Sequence, residues 1–378
     1  MMKIAIWGAG GFGKYIIKQL LPNDLVEIQC IIDNNAGSSQ KVCGVDVVSP
    51  NIFLQKYGKD TDCVLVAFME GLSISKQLED MGIEKYGFIS KRVFHYKMTL
   101  ESDILQDCNI LWNNDKELYM PRMETLETNV VDFCNMNCKG CSHFSNIFDK
   151  GDFVPYEVFE RDIKQLSDKV FIQQFNLLGG EVFYSENLAD YIKCLRKYMP
   201  KTAIELVTNG MLIPRQKEEL LKVIQQERVT VSITEYPPVT KVKDKIMDKL
   251  DEYHIYYEFR PVVETFGKNI DLSGKNEPHV AQSKCRESTC QFLRAGKIYK
   301  CPFSALGNIF FKYYNIPLSF DEGADIYASD MNWKEYADNV RAAPIEQCRY
   351  CGTEERFSWE MSNNPQKEEW IIDYIKNN

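Results

Sequence analysis

The sequence contains no run of about 18 apolar residues, the minimum for a helix that crosses a bilayer, so no membrane span and no membrane partner are expected. It opens on Met-Met-Lys, a short apolar strand and a glycine turn. A secretory signal would need a longer apolar stretch and a small-residue cleavage site, so a cytoplasmic location is expected. Low-complexity tracts and long runs of like charge are also missing. Basic residues are outnumbered, with 45 Lys and Arg against 54 Asp and Glu and a net charge of −9. Nucleic-acid binding relies on Lys and Arg displacing phosphate counterions, so no nucleic-acid partner is expected.

Cysteine, in contrast, is abundant. There are 13 in 378 residues, and in a reducing compartment so many thiols are not expected to pair as disulfides. Their distribution is uneven: three fall within 134–141 and five more lie between 285 and 351. Such clusters point to metal or iron–sulfur ligation. Cys30, Cys43, Cys63, Cys108 and Cys194 stand apart, and most of these are expected to be small buried hydrophobes. The length and a hydrophobic fraction of 44% suit two or three domains with ordinary cores.

The fold class read from the pattern is α/β. Residues 1–98 form a small Rossmann-like unit with a parallel sheet: strands at 3–7, 26–32, 62–68 and 86–89 alternate with helices after Gly13 and at 72–81. Residues 99–120 read as a linker with a helical start. Residues 121–270 repeat strand and amphipathic helix, with strands at 125–132, 171–178, 203–208, 229–234 and 255–260. This predicts a partial (β/α)6 barrel whose site lies at the C-terminal strand ends. Residues 271–355 form a cysteine-rich domain with short strands around Gly296, and 356–378 end in a terminal helix.

The first cysteine group is C-x3-C-x2-C: Cys134, Cys138 and Cys141, directly after a strand. Three thiolates on one loop can hold three irons of a cubane cluster and leave the fourth iron open, as catalytic zinc keeps one open position. The alternative is structural zinc, which wants four protein ligands and has His143 as a candidate fourth.

This motif resembles the signature of radical S-adenosylmethionine (SAM) enzymes. Leu178-Gly179-Gly180-Glu181 at the end of the second barrel strand is similar to that family's GGE motif. Thr208-Asn209-Gly210 ends the third strand, like the family's TNG, and Ser232 matches a SAM-contacting serine on the fourth. The resemblance implies a [4Fe-4S] cluster on Cys134, Cys138 and Cys141. SAM is then held by Gly179, Gly180, Glu181, Thr208, Asn209 and Ser232, and a flavodoxin or ferredoxin is the reducing partner. The residue before the third cysteine, aromatic in many members, is Gly140 here; Phe133 or Phe144 are candidates for that surface.

The second group, C-x10-G-x4-C followed by C-x2-C, resembles the twitch/SPASM extension of the same family and implies a second [4Fe-4S] cluster. Five cysteines compete for four positions. Cys285, Cys301, Cys348 and Cys351 are favoured, with Gly296 turning the hairpin between the first two. Cys290 is the alternative ligand, or a free thiol facing the active site as hydrogen donor; Cys194 is a second donor candidate. Four cysteines would equally build a zinc knuckle.

Gly8-x-Gly10-x-x-Gly13 follows a strand and opens a helix, and Asp33 ends the next strand, 20 residues after Gly13. This is the context of a dinucleotide-binding fingerprint. The short unit also resembles the N-terminal domain of nucleotide-sugar acetyltransferases, which implies a nucleotide sugar; NAD and a docking role remain the alternatives. The function expected is hydrogen abstraction from a carbohydrate or nucleotide-sugar substrate, ending in oxidation or epimerisation. The runner-up is maturation of a ribosomal peptide, which expects a winged-helix recognition domain at the N-terminus. A third alternative is a non-catalytic iron–sulfur or zinc nucleotide sensor.

Overall fold

The computed structural model describes residues 1–21, 26–67, 72–89, 110–151 and 153–372. It divides into two compact units, Met1–Met120 and Pro121–Asn378.

The first unit is one sheet of β1 (Met2–Trp7), β2 (Val26–Ile32), β3 (Lys41–Val42), β4 (Val45–Val48), β5 (Cys63–Val66), β6 (Tyr86–Ile89) and β7 (Ile110–Trp112), in the order β3-β4-β2-β1-β5-β6-β7. The central strands run parallel, and β3 and β7 close the edges antiparallel. The β5 residues Cys-Val-Leu-Val are all buried, as expected of a parallel strand covered on both faces. Helices α1 (Gly11–Leu20), α2 (Pro50–Lys56) and α3 (Leu72–Asp80) accompany the sheet. Ile16, Ile17 and Leu20 of α1 are fully buried in its core. Ser49 caps α2, accepting from Ile52 N, with Pro50 in the first turn where its missing N–H costs nothing.

The expected linker differs. Its second half contains β7, whose Ile-Leu-Trp side chains are buried and whose backbone pairs with the open edge of β6. The helical start expected after residue 98 lies outside the described residues.

The second unit begins with β8 (Arg122–Val131), α4 (Tyr156–Leu166), β9 (Phe171–Gly179), α5 (Leu188–Tyr198), β10 (Ala203–Thr208), α6 (Glu218–Gln226), β11 (Thr230–Thr234), α7 (Pro237–Thr240), α8 (Lys243–Glu252) and β12 (Tyr257–Arg260). All five expected barrel strands are present and parallel. Alternation along them separates two faces. Leu126, Phe175, Leu177, Ile204, Leu206, Val231 and Ile233 meet the apolar stripes of the helices, including Ile163, Ile192 and Leu221. Glu127, Asn129, Gln174, Asn176, Glu205, Ser232, Glu258 and Arg260 occupy the alternate positions and make the inner face polar.

A sixth βα unit does not follow. Pro261 has no N–H with which to continue the ladder. The chain instead enters β13 (Thr265–Ile270), which pairs antiparallel with β17 (Cys351–Ser358) in a separate ribbon. Between them lie α9 (Pro278–Ser283), β14 (Phe292–Arg294), β15 (Lys297–Tyr299), α10 (Pro302–Tyr313), β16 (Ala324–Asp325) and α11 (Trp333–Asn339). β14 joins the barrel sheet beside β8, giving the order β12-β11-β10-β9-β8-β14-β15-β16. Ala295 and Gly296, both at positive φ, turn the β14–β15 hairpin as the sequence predicted. The cysteine-rich segment is thus continuous with the barrel sheet.

The expected terminal helix is also corrected. Residues 351–358 are strand, Lys367–Glu369 make a short 3-10 turn, and Ile371 bridges to Ile270. Pro365 opposes a continuous helix here, and buried Trp370 anchors the tail. Residues 373–378 lie outside the described residues. No helix among the described residues is long and apolar enough to cross a membrane.

Candidate active site

The loop after β8 carries Cys134, Cys138 and Cys141. Left-handed backbone at Asn137, Gly140 and Phe144 folds it tightly. Three N–H groups approach its sulfurs: Met136 N to Cys134 Sγ at 3.4 Å, Asn209 Nδ2 to the same sulfur at 3.7 Å, and Trp359 Nε1 to Cys138 Sγ at 3.2 Å. Burial pushes the Cys138 thiol up to about 12, helped by the charge of Cys141. Burial also raises Cys134, reinforced by the Glu181 carboxylate. Such thiols become thiolates when bound iron supplies the compensating charge.

The strand end at Gly179-Gly180-Glu181 lies against this loop. Gly180 N donates to Val131 O at 2.8 Å, and Glu181 N to Phe133 O at 3.1 Å. A Cβ at Gly180 would fall 1.9 Å from Phe133 O, and one at Gly179 1.9 Å from Val131 O. Both glycines are therefore required by the close approach of two backbones. The Glu181 carboxylate is fully buried and accepts from Thr208 Oγ1 (2.6 Å), Asn209 N (3.0 Å) and Phe183 N (3.2 Å). Burial raises its pKa, and these hydrogen bonds oppose the rise. Asn209 Nδ2 also donates to Asn135 Oδ1 at 2.8 Å. The cluster loop, the GGE turn and the TNG turn thus form one hydrogen-bonded unit at the C-terminal strand ends.

Ser232 lies deeper, on the inner face, accepting from Arg260 Nε (2.8 Å) and donating to Glu258 Oε1 (3.2 Å). Arg260 also donates to Glu205 Oε1 (2.9 Å), whose other oxygen accepts from Gln174. Glu127 joins this face, its carboxyl pushed up to about 7 chiefly by burial and then by Glu287.

His143, the candidate fourth zinc ligand, has Nδ1 3.2 Å from Asn129 Oδ1 and lies against Phe292; burial drives its pKa down to about 4. Phe133 packs on Tyr184 (centroids 5.0 Å), and Phe144 is buried among Phe303, Phe310 and Trp370. At Gly140 itself a side chain would have no free space. That space is filled from the C-terminus, since a Cβ on Gly140 would meet Phe357 Cζ at 2.8 Å and Glu369 O at 2.9 Å.

In the second group, Cys351 feels the charges of Cys301, Cys348 and Cys285, in that order after burial, and its pKa is raised well above the usual thiol value. Beyond burial, the groups that raise Cys290 are Glu127 and Glu287, and Glu287 also raises Cys285, Cys301 and Cys351. Cys301 is the N-cap of α10, with Pro302 following, so the positive end of a 12-residue helix faces its sulfur. Lys300 beside it is buried, donating to Val340 O and Arg341 O at 2.7 Å each. Among the described residues, no three of His, Cys, Asp or Glu close around a single metal ion. A cubane cluster takes its ligands at separate corners, and two thiol sets with N–H donors or a helix N-terminus at their sulfurs fit that group chemically.

Of the isolated cysteines, Cys30, Cys63 and Cys194 are buried, Cys43 is exposed in a turn, and Cys108 lies outside the described residues. Cys194 sits in α5 within the helix-side core, near Tyr156 and Glu160, and so does not face the site as a hydrogen donor.

In the first unit, Gly8 has φ +115° and donates to Ile32 O at 2.8 Å. A Cβ on Gly13 would lie 1.8 Å from Gly8 O, so α1 starts tight against the turn. Gly10 is the N-cap of α1 with open space beside it. Asp33 accepts from Ala9 N and Asn35 N, each at 2.9 Å, and so braces the glycine loop.

Residues 128–256 match the family model described as the radical SAM superfamily, and residues 1–89 match the model described as C2185-like, N-terminal. The chain carries a radical SAM domain. This domain implies a [4Fe-4S] cluster and SAM. The GTP 3′,8-cyclase of Alkaliphilus oremlandii is 26% identical over 145 residues, covering 36% of this chain and 45% of that protein. The probable GTP 3′,8-cyclase of Thermoplasma volcanium is 31% identical over 117 residues, covering 31% and 35%. The chain thus spans less than half the length of either relative. A solved structure described as BtrN in complex with AdoMet and 2-DOIA aligns at TM-score 0.37 and 15% identity, over 61% of this chain and 93% of that one.

Sequence reasoning missed Trp359, Trp370, Tyr236, Phe357 and the Arg260–Glu205 pair. Tyr236 stacks on Trp359 at 5.6 Å, beside the three cluster thiols. The available signal was an aromatic-rich tail (Phe357, Trp359, Trp370) in otherwise polar sequence.

Proposed function

We propose that the chain is a radical SAM enzyme acting on a carbohydrate or nucleotide-sugar substrate, by oxidation or epimerisation. The observation that carries this reading is the single hydrogen-bonded unit of cluster loop, Gly179-Gly180-Glu181 and Thr208-Asn209 above a polar inner face. Cys134, Cys138 and Cys141 hold the catalytic cluster. When bound, cluster and SAM supply a 5′-deoxyadenosyl radical that takes hydrogen from unactivated carbon. The protein contributes placement. The Gly179-Gly180-Glu181 turn receives the methionine end of SAM. Gln174, Asn176, Glu205 and Arg260 offer paired donors and acceptors suited to hydroxyl groups. Cys285, Cys301, Cys348 and Cys351 hold an auxiliary cluster, and Cys290 is the thiol available as hydrogen donor. A flavodoxin or ferredoxin delivers the electron, and the Gly8–Gly13 loop with Asp33 is the first unit's own nucleotide-binding candidate.

The relatives' names raise a nucleoside triphosphate as a second substrate class. The inner face opposes it, because Glu205 and Glu258 outnumber Arg260 there. A ribosomal peptide has less support, since the first unit is a β-α-β sheet with a glycine loop.

The test is anaerobic reconstitution, addition of dithionite and SAM, and quantification of 5′-deoxyadenosine with and without uridine- and thymidine-diphosphate sugars. Stimulation by a nucleotide sugar is expected. No 5′-deoxyadenosine from cluster-replete protein would defeat the enzymatic reading, and stimulation by GTP alone would defeat the sugar.

A further inference from the structure

The segment after β17 lies along the cluster loop as if it were part of it. Lys139 N donates to Glu360 O at 2.9 Å and Ser362 N to Asn137 O at 2.8 Å, and Cys138 and Met361 form an antiparallel bridge. Lys139 Nζ pairs with Glu360 Oε1 at 2.5 Å, and Trp370 Nε1 donates to Cys141 O at 2.8 Å. Within this clamp, Trp359 makes the contact of chemical consequence. Its indole N–H points at Cys138 Sγ from 3.2 Å, and its ring is fixed from behind by Tyr236, at 5.6 Å and 27° between planes. Cys138 is buried. A fixed donor on a buried thiolate acts with little competition from water.

We infer that Trp359 is a positioning residue that sets the reduction potential of the catalytic cluster through its hydrogen bond to Cys138. This rests on the reading of Cys134, Cys138 and Cys141 as cluster ligands. Reduction adds negative charge to the cluster, and part of that charge resides on its ligand sulfurs. An N–H donor favours the more negative state and raises the potential; hydrogen bonds to sulfur are a recognised control of iron–sulfur potentials. The role is supplied from a segment about 220 residues away from the ligand in sequence, and that segment continues the strand that starts at Cys351, an auxiliary-cluster candidate.

The experiment is a potentiometric titration of the reconstituted full chain, followed by electron paramagnetic resonance of the reduced catalytic cluster. Trp359→Phe keeps the ring on Tyr236 and deletes the N–H; the expected result is a shift to more negative potential with iron content unchanged. Glu360→Gln serves as the control, because it weakens the same clamp without touching a sulfur, and its potential should match the parent. An unchanged potential in Trp359→Phe, or an equal shift in Glu360→Gln, overturns the inference. If Trp359→Phe loses iron, the parent protein still decides the matter. Pulsed resonance should show an exchangeable proton coupled to the cluster, with indole 15N coupling after tryptophan labelling, and absence of that coupling overturns the inference. A parent chain that binds no cluster at Cys134, Cys138 and Cys141 would instead defeat the underlying ligand assignment.

Discussion

The carboxylate of Glu181 accepts a 2.6 Å hydrogen bond from the hydroxyl of Thr208 at a site with no solvent exposure. Glu181 lies just past the end of the second barrel strand and Thr208 ends the third, so this bond fixes two strand ends to each other. It also aligns Asn209, whose N–H reaches the second carboxylate oxygen at 3.0 Å. Glu181→Gln would place an NH2 against one of these donors. Leaving buried donors unsatisfied costs about 1–3 kcal/mol, so the variant should unfold at lower urea concentration than the parent. Equilibrium dialysis should also show weakened SAM binding, and a parent-like urea midpoint would contradict the geometry.

Gly180 tests the close approach of the two backbones. In Gly180→Ala the new Cβ would stand 1.9 Å from Phe133 O and 2.7 Å from Cys134 N, and both are backbone atoms without a rotamer to change. The cluster loop must move. The expected outcome is loss of iron at the catalytic site together with a lower denaturation midpoint, measured by iron content per chain and urea titration. Retention of parental iron would mean that the loop tolerates displacement.

Iron content also separates the five C-terminal cysteines. Cys348→Ser should remove the auxiliary cluster and leave the catalytic one, giving about half the parental iron and sulfide if both sites hold cubanes. Cys290→Ser should leave iron unchanged, because the C-x10-G-x4-C spacing starts at Cys285 and the cysteines whose charges raise Cys351 are Cys301, Cys348 and Cys285. Iron loss in Cys290→Ser would exchange the two assignments.

Much of this arrangement was legible in the sequence because the signals are local. Strand periodicity placed β8–β12. The spacing of Cys134, Cys138 and Cys141, with Gly179-Gly180-Glu181 and Thr208-Asn209, located the strand-end turns before any contact between them was known. Gly296 marked its hairpin because a tight two-residue turn needs positive φ. What could not be read depends on pairing across long separations. β7 looked like a linker because three apolar residues acquire meaning only beside the edge of β6. The tail looked like a helix because nothing near Trp359 or Trp370 in sequence reveals that their indoles reach Cys138 and Cys141. Ser232 was read as a SAM contact, and only the structure shows it engaged with Arg260 and Glu258.

Glu127 gives the protein a predictable response to pH. Its carboxyl is pushed from an ordinary value of 4.5 up to about 7, by burial first and Glu287 second. Below pH 4.5 both folded and unfolded chains hold this proton. Between 4.5 and 7 the unfolded chain releases it while the folded chain keeps it, so the unfolded state binds fewer protons and stability falls as pH rises. At 1.36 kcal/mol per unit, a shift of this size corresponds to about 3 kcal/mol lost once the pH has risen through the folded value of about 7. Glu287, pushed up to about 7 by burial and by Glu354, contributes in the same direction. Urea midpoints of the parent should therefore decline from pH 5 to pH 7.5. In Glu127→Gln the decline should shrink without disappearing, since Glu287 remains. A parent whose midpoint rises over this interval, or a variant with an undiminished decline, would show that Glu127 is already ionised in its buried position and that the inner face holds a full negative charge there.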